Sequence, residues 1–199
     1  MSKLFKVGGI LIGVGILTIV GTGIASGDWN GLYASVNRYT EVDPYVATGE
    51  VHTIEIDTNN RRIILSPTTE ATVTIAYYES EFDHIDIEET NQVLSITNPM
   101  DWQANFVFSF NLLTLSQERT IYVGVPVTGQ YSIDIYTKNG AINVSNMDNI
   151  HTIDASTLNG SIYFNQVKDL TSLDANSANG TISVLGTTVT GEMDVSTSN

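Results

Sequence analysis

Three ten-residue segments, spaced 20 residues apart, decide the fold of this chain. They are YSIDIYTKNG at residues 131–140, HTIDASTLNG at 151–160 and TSLDANSANG at 171–180. In each segment an aspartate stands five positions before an asparagine, a glycine closes the segment, and an isoleucine follows two positions later. A fixed period of this kind indicates a repeat protein in which one small structural unit stacks on the next.

The same frame extends to both sides of these segments. The acidic residue and the asparagine recur as Glu55 with Asn60, Asp86 with Asn91 and Asp194 with Asn199. We therefore expect six copies of the unit, beginning near residues 51, 82, 130, 150, 170 and 190. The first two copies are more widely spaced, which predicts hairpin-like insertions between them.

Within each unit the apolar residues alternate with polar ones. Ile133 and Ile135 point to one side of the chain, whereas Asp134 and Tyr136 point to the other. A period of two is typical of a half-buried β-strand, and the abundance of β-branched residues argues against helix in the body of the protein.

Asn-Gly pairs separate the two strands of the late units. They are Asn139-Gly140, Asn159-Gly160 and Asn179-Gly180. This dipeptide predicts a tight turn with positive φ, because glycine adopts that conformation freely and asparagine tolerates it. An antiparallel meander and a parallel solenoid both fit such a unit, but the constant period favours the solenoid.

We therefore predict an all-β fold, a right-handed parallel β-solenoid with coils of about 20 residues. Equivalent side chains of neighbouring coils would then lie roughly 4.8 Å apart. The six turn residues would form a structural ladder along one edge of the stack, with the isoleucines stacked inside.

Composition excludes several classes of function. The 199-residue chain has no cysteine, which rules out disulfides, thiolate zinc sites and cysteine nucleophiles. Its 22 acidic and 8 basic residues give a net charge of −14, which disfavours binding to nucleic acid. No cofactor-binding motif is present, so no cofactor is expected.

The amino terminus predicts attachment to a membrane. Residues 7–26 carry no charge and are long enough to span a bilayer as one helix, and Lys3 and Lys6 favour a cytoplasmic amino terminus. A cleavable secretory signal is the alternative, and it exports the body equally well.

These features divide the chain into four parts. We expect a cytoplasmic tip (1–6), a transmembrane helix or signal anchor (7–26), a tether (27–48) and the repeat domain (49–199). The protein would be a single-pass protein of the cell membrane with its carboxyl-terminal domain outside the cell.

Several segments together resemble a known bacterial family. They are the lysine-led anchor, the Thr-Asn-Asn that follows Ile-Glu-Ile-Asp at 54–57, the strand Ile-Tyr-Val-Gly-Val-Pro at 121–126 and the Asn-Gly repeats. The chain resembles the β-strand-repeat "putative adhesin" family, domain of unknown function 4097, over residues 51–199. The resemblance implies a β-solenoid body, a surface or envelope location and no established enzymatic activity. Members of that family generally continue for more coils, so a further portion after Asn199 is expected.

The aspartates of the repeat would form a column on one solvent face. They are Asp134, Asp154, Asp174 and Asp194. Carboxylates this close repel one another, and Ca²⁺ could neutralise them in an exported protein. The sequence favours the alternative, a solvated face whose carboxylates bond to polar neighbours, so no metal site is expected.

Two other groups of residues are candidate sites. The three histidines, His52, His84 and His151, lie at or near repeat positions, and duplication of the unit explains them better than a metal trio or a general base does. Met100, Trp102 and Phe106 could form an exposed aromatic patch, although aromatic residues in such strands more often belong to the core.

The sequence thus predicts a protein that is not an enzyme. We expect a structural, adhesin-like or interaction module of the cell envelope, with a protein or glycan partner on the solenoid face. The alternative is a regulatory or sensory accessory to a membrane partner in the envelope-stress response.

Overall fold

The computed structural model of the chain describes residues 39–80, 83–99 and 119–198, and in these ranges it contains strands and turns but no helix. Accordingly, none of the described residues belongs to a helix that could span a membrane. The predicted transmembrane helix at residues 7–26 lies outside them, as does the cytoplasmic tip.

Two seven-stranded sheets make up the body of the protein. The first, sheet one, contains in spatial order β16 (Val189–Thr197), β14 (Leu170–Ser177), β12 (Ile150–Thr157), β10 (Tyr131–Thr137), β3 (Thr53–Thr58), β8 (Val93–Thr97) and β7 (Asp86–Thr90). The second, sheet two, contains β15 (Ile182–Leu185), β13 (Ile162–Val167), β11 (Ile142–Met147), β4 (Arg62–Thr68), β9 (Thr120–Pro126), β5 (Thr74–Ala76) and β2 (Tyr45–Val46). A short separate ribbon pairs β1 (Thr40–Glu41) with β6 (Tyr78–Glu79).

Each coil consists of one strand from sheet one, a tight corner and one strand from sheet two. The coils β10/β11, β12/β13 and β14/β15 follow one another in the chain, and their strands pair in parallel. Asp134 pairs with Asp154 and Asp154 with Asp174, which fixes the coil at 20 residues. The predictions of an all-β body and of parallel stacked strands are confirmed, while the right-handed sense stays a prediction.

At one end of the stack the parallel pattern gives way to antiparallel pairing, in the part of the chain where hairpin-like insertions were expected. Here β7 runs antiparallel to β8, and β5 and β2 extend sheet two by antiparallel pairing. Asn91 and Gln92, between β7 and β8, have φ values of 53° and 68°. Two consecutive residues with positive φ make a two-residue hairpin turn. The sequence frame near residue 82 therefore marks a hairpin within one sheet and not a coil.

The coil below β3/β4 consists of β8 and β9. In the stack, β3 lies between β8 and β10, and β4 lies between β9 and β11. The first coil of the chain is thus enclosed by two coils that come later in the sequence. Chain order and spatial order differ at this end because the antiparallel strands β5, β6 and β7 come between β4 and β8 in the chain.

The described body begins at Tyr39, ten residues before the expected start of the repeat domain. Tyr39 is buried, and β2 adds to sheet two by pairing with β5. Residues 39–48 are therefore part of the folded body and not of a tether. Their strands and the hairpin β7/β8 cover one end of the stack, which is how repeat proteins shield their terminal core.

The core lies between the two sheets and is built from columns of aliphatic side chains. On sheet two, Ile63, Ile142 and Ile162 are in register and fully buried, whereas Ile182 in the last coil is partly exposed. Full burial of such a side chain stabilises the fold by about 1.5–3 kcal/mol. Stacked isoleucines therefore make each coil depend on its neighbours.

The Asn-Gly corners differ from the expected positive-φ turns. None of the three corner glycines has a positive φ, so that prediction is wrong. A Cβ added to Gly160 would lie 1.7 Å from the carbonyl oxygen of Gly140, and one added to Gly140 or Gly180 would meet the coil below in the same way. Glycine is required here because the backbones of neighbouring coils approach so closely.

A buried hydroxyl links each corner to the next. Thr157 Oγ1 accepts a hydrogen bond from Gly160 N at 3.0 Å and donates one to Gly140 O at 3.3 Å. The equivalent hydroxyls donate in the same way, Ser177 to Gly160 O at 2.9 Å and Thr197 to Gly180 O at 3.1 Å. This hydroxyl relay gives the corner backbone groups buried partners, which they need when water is excluded.

Arg61 takes the glycine position in the coil β3/β4. Its side chain is fully buried and forms an ion pair with Asp83, whose Oδ1 lies 2.9 Å from Nη2. Arg61 Nη1 also donates to Tyr78 O at 2.8 Å, and the Tyr39 hydroxyl donates to Asp83 Oδ2 at 2.6 Å. The coil below has no Asn-Gly corner, because residues 98–119 connect β8 to β9, so a side chain can occupy this position.

Gly160→Ala should destabilise the protein by about 3 kcal/mol, because the added methyl group collides with backbone that cannot move without separating two coils. Urea unfolding of the full chain measures this change. Gly49→Ala is the matched control, since its Cβ would meet one side-chain atom, Glu89 Oε2 at 3.3 Å, and no backbone of a neighbouring coil. Equal losses in the two variants would contradict the explanation.

Asp83→Ala should also cost about 3 kcal/mol, because it leaves the buried Arg61 guanidinium without its ionic partner. The exposed carboxylate of Asp43 provides the control, and Asp43→Ala should change the unfolding free energy by less than about 0.5 kcal/mol. A loss at Asp83 as small as that of the control would show that the buried pair is not required.

Candidate binding faces

The two sheets differ in the charge of their side chains. In the described structure the strands of sheet one carry ten carboxylates, those of Glu55, Asp57, Asp86, Glu88, Glu89, Asp134, Asp154, Asp174, Glu192 and Asp194. The strands of sheet two contain no acidic residue in the described structure, and their one charged residue is Arg62. The body therefore presents one acidic face and one face that is nearly free of charge.

The aspartate column lies on the exposed side of sheet one. Asp134, Asp154, Asp174 and Asp194 occupy the same register position on four neighbouring strands. Partial burial, and then the negative charges of Asp134 and Asp174 on either side, raise the pKa of the Asp154 carboxyl. Parallel stacking places these like charges at strand spacing, which destabilises the ionised column.

The column does not gather into a metal centre. Among the residues that the structure describes, no group of three or more His, Asp or Glu side chains is arranged to hold a metal ion. Beside the column, Asn176 Nδ2 donates to Ser196 Oγ at 3.0 Å, so neighbouring polar groups bond to one another across the coils.

The three histidines lie beside different partners. His52 Nε2 is 3.1 Å from Glu50 Oε1, and His84 Nδ1 is 3.8 Å from Glu79 Oε2. His151 Nδ1 is 3.1 Å from the Thr171 hydroxyl on the next coil. The structure therefore does not bring them together into one site. Met100, Trp102 and Phe106 lie outside the described residues.

The corner asparagines form a ladder along one edge of the stack. Asn139 donates to Asn60 Oδ1 at 2.5 Å, Asn159 to Asn139 Oδ1 at 2.6 Å, and Asn179 to Asn159 Oδ1 at 2.9 Å. These side chains are exposed to solvent. The ladder runs through Asn179, Asn159 and Asn139 and extends by one further rung to Asn60.

Sheet two carries a second column on its outer surface, which the sequence analysis did not identify. We call it the tyrosine column, and its members in spatial order are Ala76, Tyr122, Ile64, Asn143, Tyr163 and Ser183. The side chains of Tyr122 and Tyr163 are each 42% exposed. Each tyrosine alternates with buried apolar residues, so period-two alternation could have placed it outside, but the order of strands was needed to align the column.

A groove runs beside the column at the corner of the stack. Its lining includes Arg62, Ile64, Asn139, Asn143, Asn159 and Tyr163. The groove therefore joins the asparagine ladder to the tyrosine column, and amide, aromatic and aliphatic groups meet there without a carboxylate.

One family model matches most of the chain. It is described as Toastrack DUF4097 and covers residues 51–199. No curated protein matches the sequence.

Three solved structures are similar to this chain. One is a "putative cell adhesion protein" from Clostridium sporogenes, with 12% identity, 80% of this chain and 100% of that chain covered, and a TM-score of 0.49. The second is a "putative adhesin" from Parabacteroides distasonis, with 9% identity, coverage of 81% and 80%, and a TM-score of 0.36. The third is a "putative adhesin" from Bacteroides fragilis, with 10% identity, coverage of 80% and 97%, and a TM-score of 0.35.

Asp154→Asn should raise the melting temperature at pH 7 by about 2 °C. Folding raises the pKa of this carboxyl, so its protonated form stabilises the folded state. That stabilisation is fully present below the pKa of the unfolded chain, and it is lost as pH rises through the pKa of the folded protein. The gain should therefore vanish near pH 3, where the carboxyl is protonated in both states. Asp148→Asn, an exposed acid outside the column, is the control, and an equal gain there at pH 7 would refute the role of the column.

Proposed function

The chain belongs to the Toastrack DUF4097 family, and on this premise we propose that it is a non-catalytic, adhesin-like interaction module of the bacterial cell envelope. In this proposal residues 7–26 anchor the chain in the cell membrane, the amino terminus is cytoplasmic and the β-stack lies outside the cell. A right-handed sense of the coil is part of the same proposal.

The observation that carries the proposal is the repeated chemistry on the outer face of sheet one and along the adjoining corner edge. On sheet one the same carboxylate recurs from coil to coil, and along the corner the same amide recurs. A surface of this kind suits binding that is spread over several coils, as extended surfaces of other repeat proteins do.

The arrangement of ionisable groups also supports a non-catalytic role. The four aspartates of the column stand in a single exposed row, and the histidines have separate partners. Acid-base catalysis requires two groups within reach of one reacting bond, held in a site that excludes water. The row is open to solvent and the histidines lie apart, so neither group forms such a site among the residues that the structure describes.

Charge supports an orientation that keeps sheet one away from lipid. The body has a large excess of carboxylates, and those in its strands lie on sheet one. Anionic lipid headgroups repel such a face, whereas sheet two carries no comparable charge. An exported body would therefore approach anionic surfaces less readily through its acidic face than through sheet two.

Single-cysteine labelling tests the proposed topology, because the chain contains no cysteine of its own. In intact cells a membrane-impermeant maleimide should label Ser183→Cys, whose position on sheet two is exposed. Ser2→Cys in the amino-terminal tip should be labelled only after lysis. Labelling of Ser2→Cys but not of Ser183→Cys in intact cells would reverse the proposed topology.

Ala155→Cys is the control for folding, since Ala155 is fully buried in sheet one. This variant should remain unlabelled until the protein is denatured. Early labelling at this position would show that the body is unfolded in the sample and would call for a repeat under milder conditions before topology is judged.

Replacing residues 7–26 with an unrelated membrane span tests the role itself. An adhesin-like module should keep its surface binding, because binding depends on the body and not on the anchor. A sensory accessory that signals through contacts of its membrane helix should fail after the exchange. Loss of function with normal surface display would therefore overturn the proposal.

A further inference from the structure

We propose that the tyrosine column and the adjoining groove bind a linear, uncharged glycan. This inference rests on the proposed function as an interaction module, and it adds which face binds and which class of ligand is recognised. It is carried by the aromatic and amide groups of sheet two and by the division of charge between the sheets.

The two exposed tyrosines provide the stacking surfaces. Tyr122 on β9 and Tyr163 on β13 are separated by three strand spacings, or roughly 14 Å. An exposed tyrosine offers an apolar ring and a hydroxyl that hydrogen-bonds, so it can pack against the C–H face of a sugar ring while remaining hydrated. Ile64 adds apolar surface between them, next to Tyr122.

Amide groups beside the rings supply hydrogen bonds for sugar hydroxyls. Asn143 lies between Ile64 and Tyr163 in the column. Asn159 also lines the groove, and its ladder bond to Asn139 engages one of the two N–H groups of its amide. A ligand in the groove therefore meets amide donors and acceptors together with the ring of Tyr163.

The in-register stacking favours a ligand that is itself linear. Equivalent positions recur at strand spacing along a straight column that crosses β9, β4, β11, β13 and β15. A chain of sugar rings laid along the stack would meet the two tyrosines in turn. A compact ligand would reach only one of them.

The charge distribution of the protein favours an uncharged ligand. The protein has a net charge of −14, and Arg62 is the one charged residue in the described strands of sheet two. An anionic polysaccharide would be repelled by the body as a whole, and a cationic partner would be drawn to the carboxylates of sheet one. A neutral glycan experiences neither effect.

The test measures binding of the purified full chain, in detergent, to immobilised dextran, mannan and chitin oligosaccharides. At least one of these neutral glycans should bind. Tyr122→Ala and Tyr163→Ala should each weaken that binding about tenfold, because each removes one stacking surface. Tyr163→Phe should retain most of it, since the ring remains. The affinity should change little between about 0.05 M and about 0.5 M salt, as expected for binding without ion pairs.

Tyr136→Ala is the matched control, because Tyr136 is a partly exposed tyrosine on the outer side of sheet one. It should leave glycan binding unchanged, and the melting temperatures of all variants should show that they are folded. Failure of all three glycans to bind, or equal losses for Tyr136→Ala and Tyr163→Ala, would overturn the inference. Preferential binding of anionic alginate would overturn the assignment of an uncharged ligand.

The inference and the proposed function can fail separately. If cells displaying the chain bind a surface and the two tyrosine variants bind it equally well, the protein is an interaction module that uses another face. If displayed chains bind nothing and the purified chain binds no glycan, both fail. If a protein ligand is found whose binding depends on Tyr122 and Tyr163, the face is correct but the ligand class is wrong.

Discussion

At each regular corner of the stack, a glycine lies against the carbonyl oxygen of the coil below, and the rest of the structure depends on that contact. It sets the distance at which strands of neighbouring coils can pair, and the buried hydroxyl at Thr157 fixes the direction of approach. Where Arg61 replaces glycine, the coil below has a long connection in place of the corner, and an ion pair with Asp83 occupies the space. The regular and the irregular parts of the protein thus differ in how they fill the same position.

The sequence was sufficient to predict the coils from residue 131 onward. There the paired strands are 20 residues apart, so the recurring Asp, Asn and Gly of each unit mark the register. The other end could not be predicted in the same way. The motif that ends in Asn91 resembles the coil motif. In the structure, however, Asn91 and Gln92 have positive φ and close a hairpin of two antiparallel strands. The sequence also does not show why glycine is needed at the corners, because the reason is the close contact between the backbones of neighbouring coils.

The two candidate faces differed in how far they could be predicted. The aspartate column follows directly from the repeat, because its members keep one position in consecutive units. The tyrosine column joins strands that are far apart in the chain and interleaved in space, with Tyr122 and Tyr163 belonging to units of different sequence. Alternation showed which side of a strand these residues occupy, but only the strand order showed that they share a column. The strand order was also needed to show that the carboxylates of the strands lie on one sheet.

The enclosed position of the first coil has a consequence for how the molecule is assembled. Asn139 reaches Asn60 across 79 residues, whereas the later ladder bonds span 20. Closing the longer loop costs more entropy, and non-local pairing of this kind is slow. Because the chain is synthesised from its amino terminus, β3 is made before β8 and β10. Both edges of β3 therefore stay without their final partners until those two strands have been made. The order of synthesis therefore differs from the spatial order of the strands, and the pairings that enclose the first coil are the non-local, slow ones.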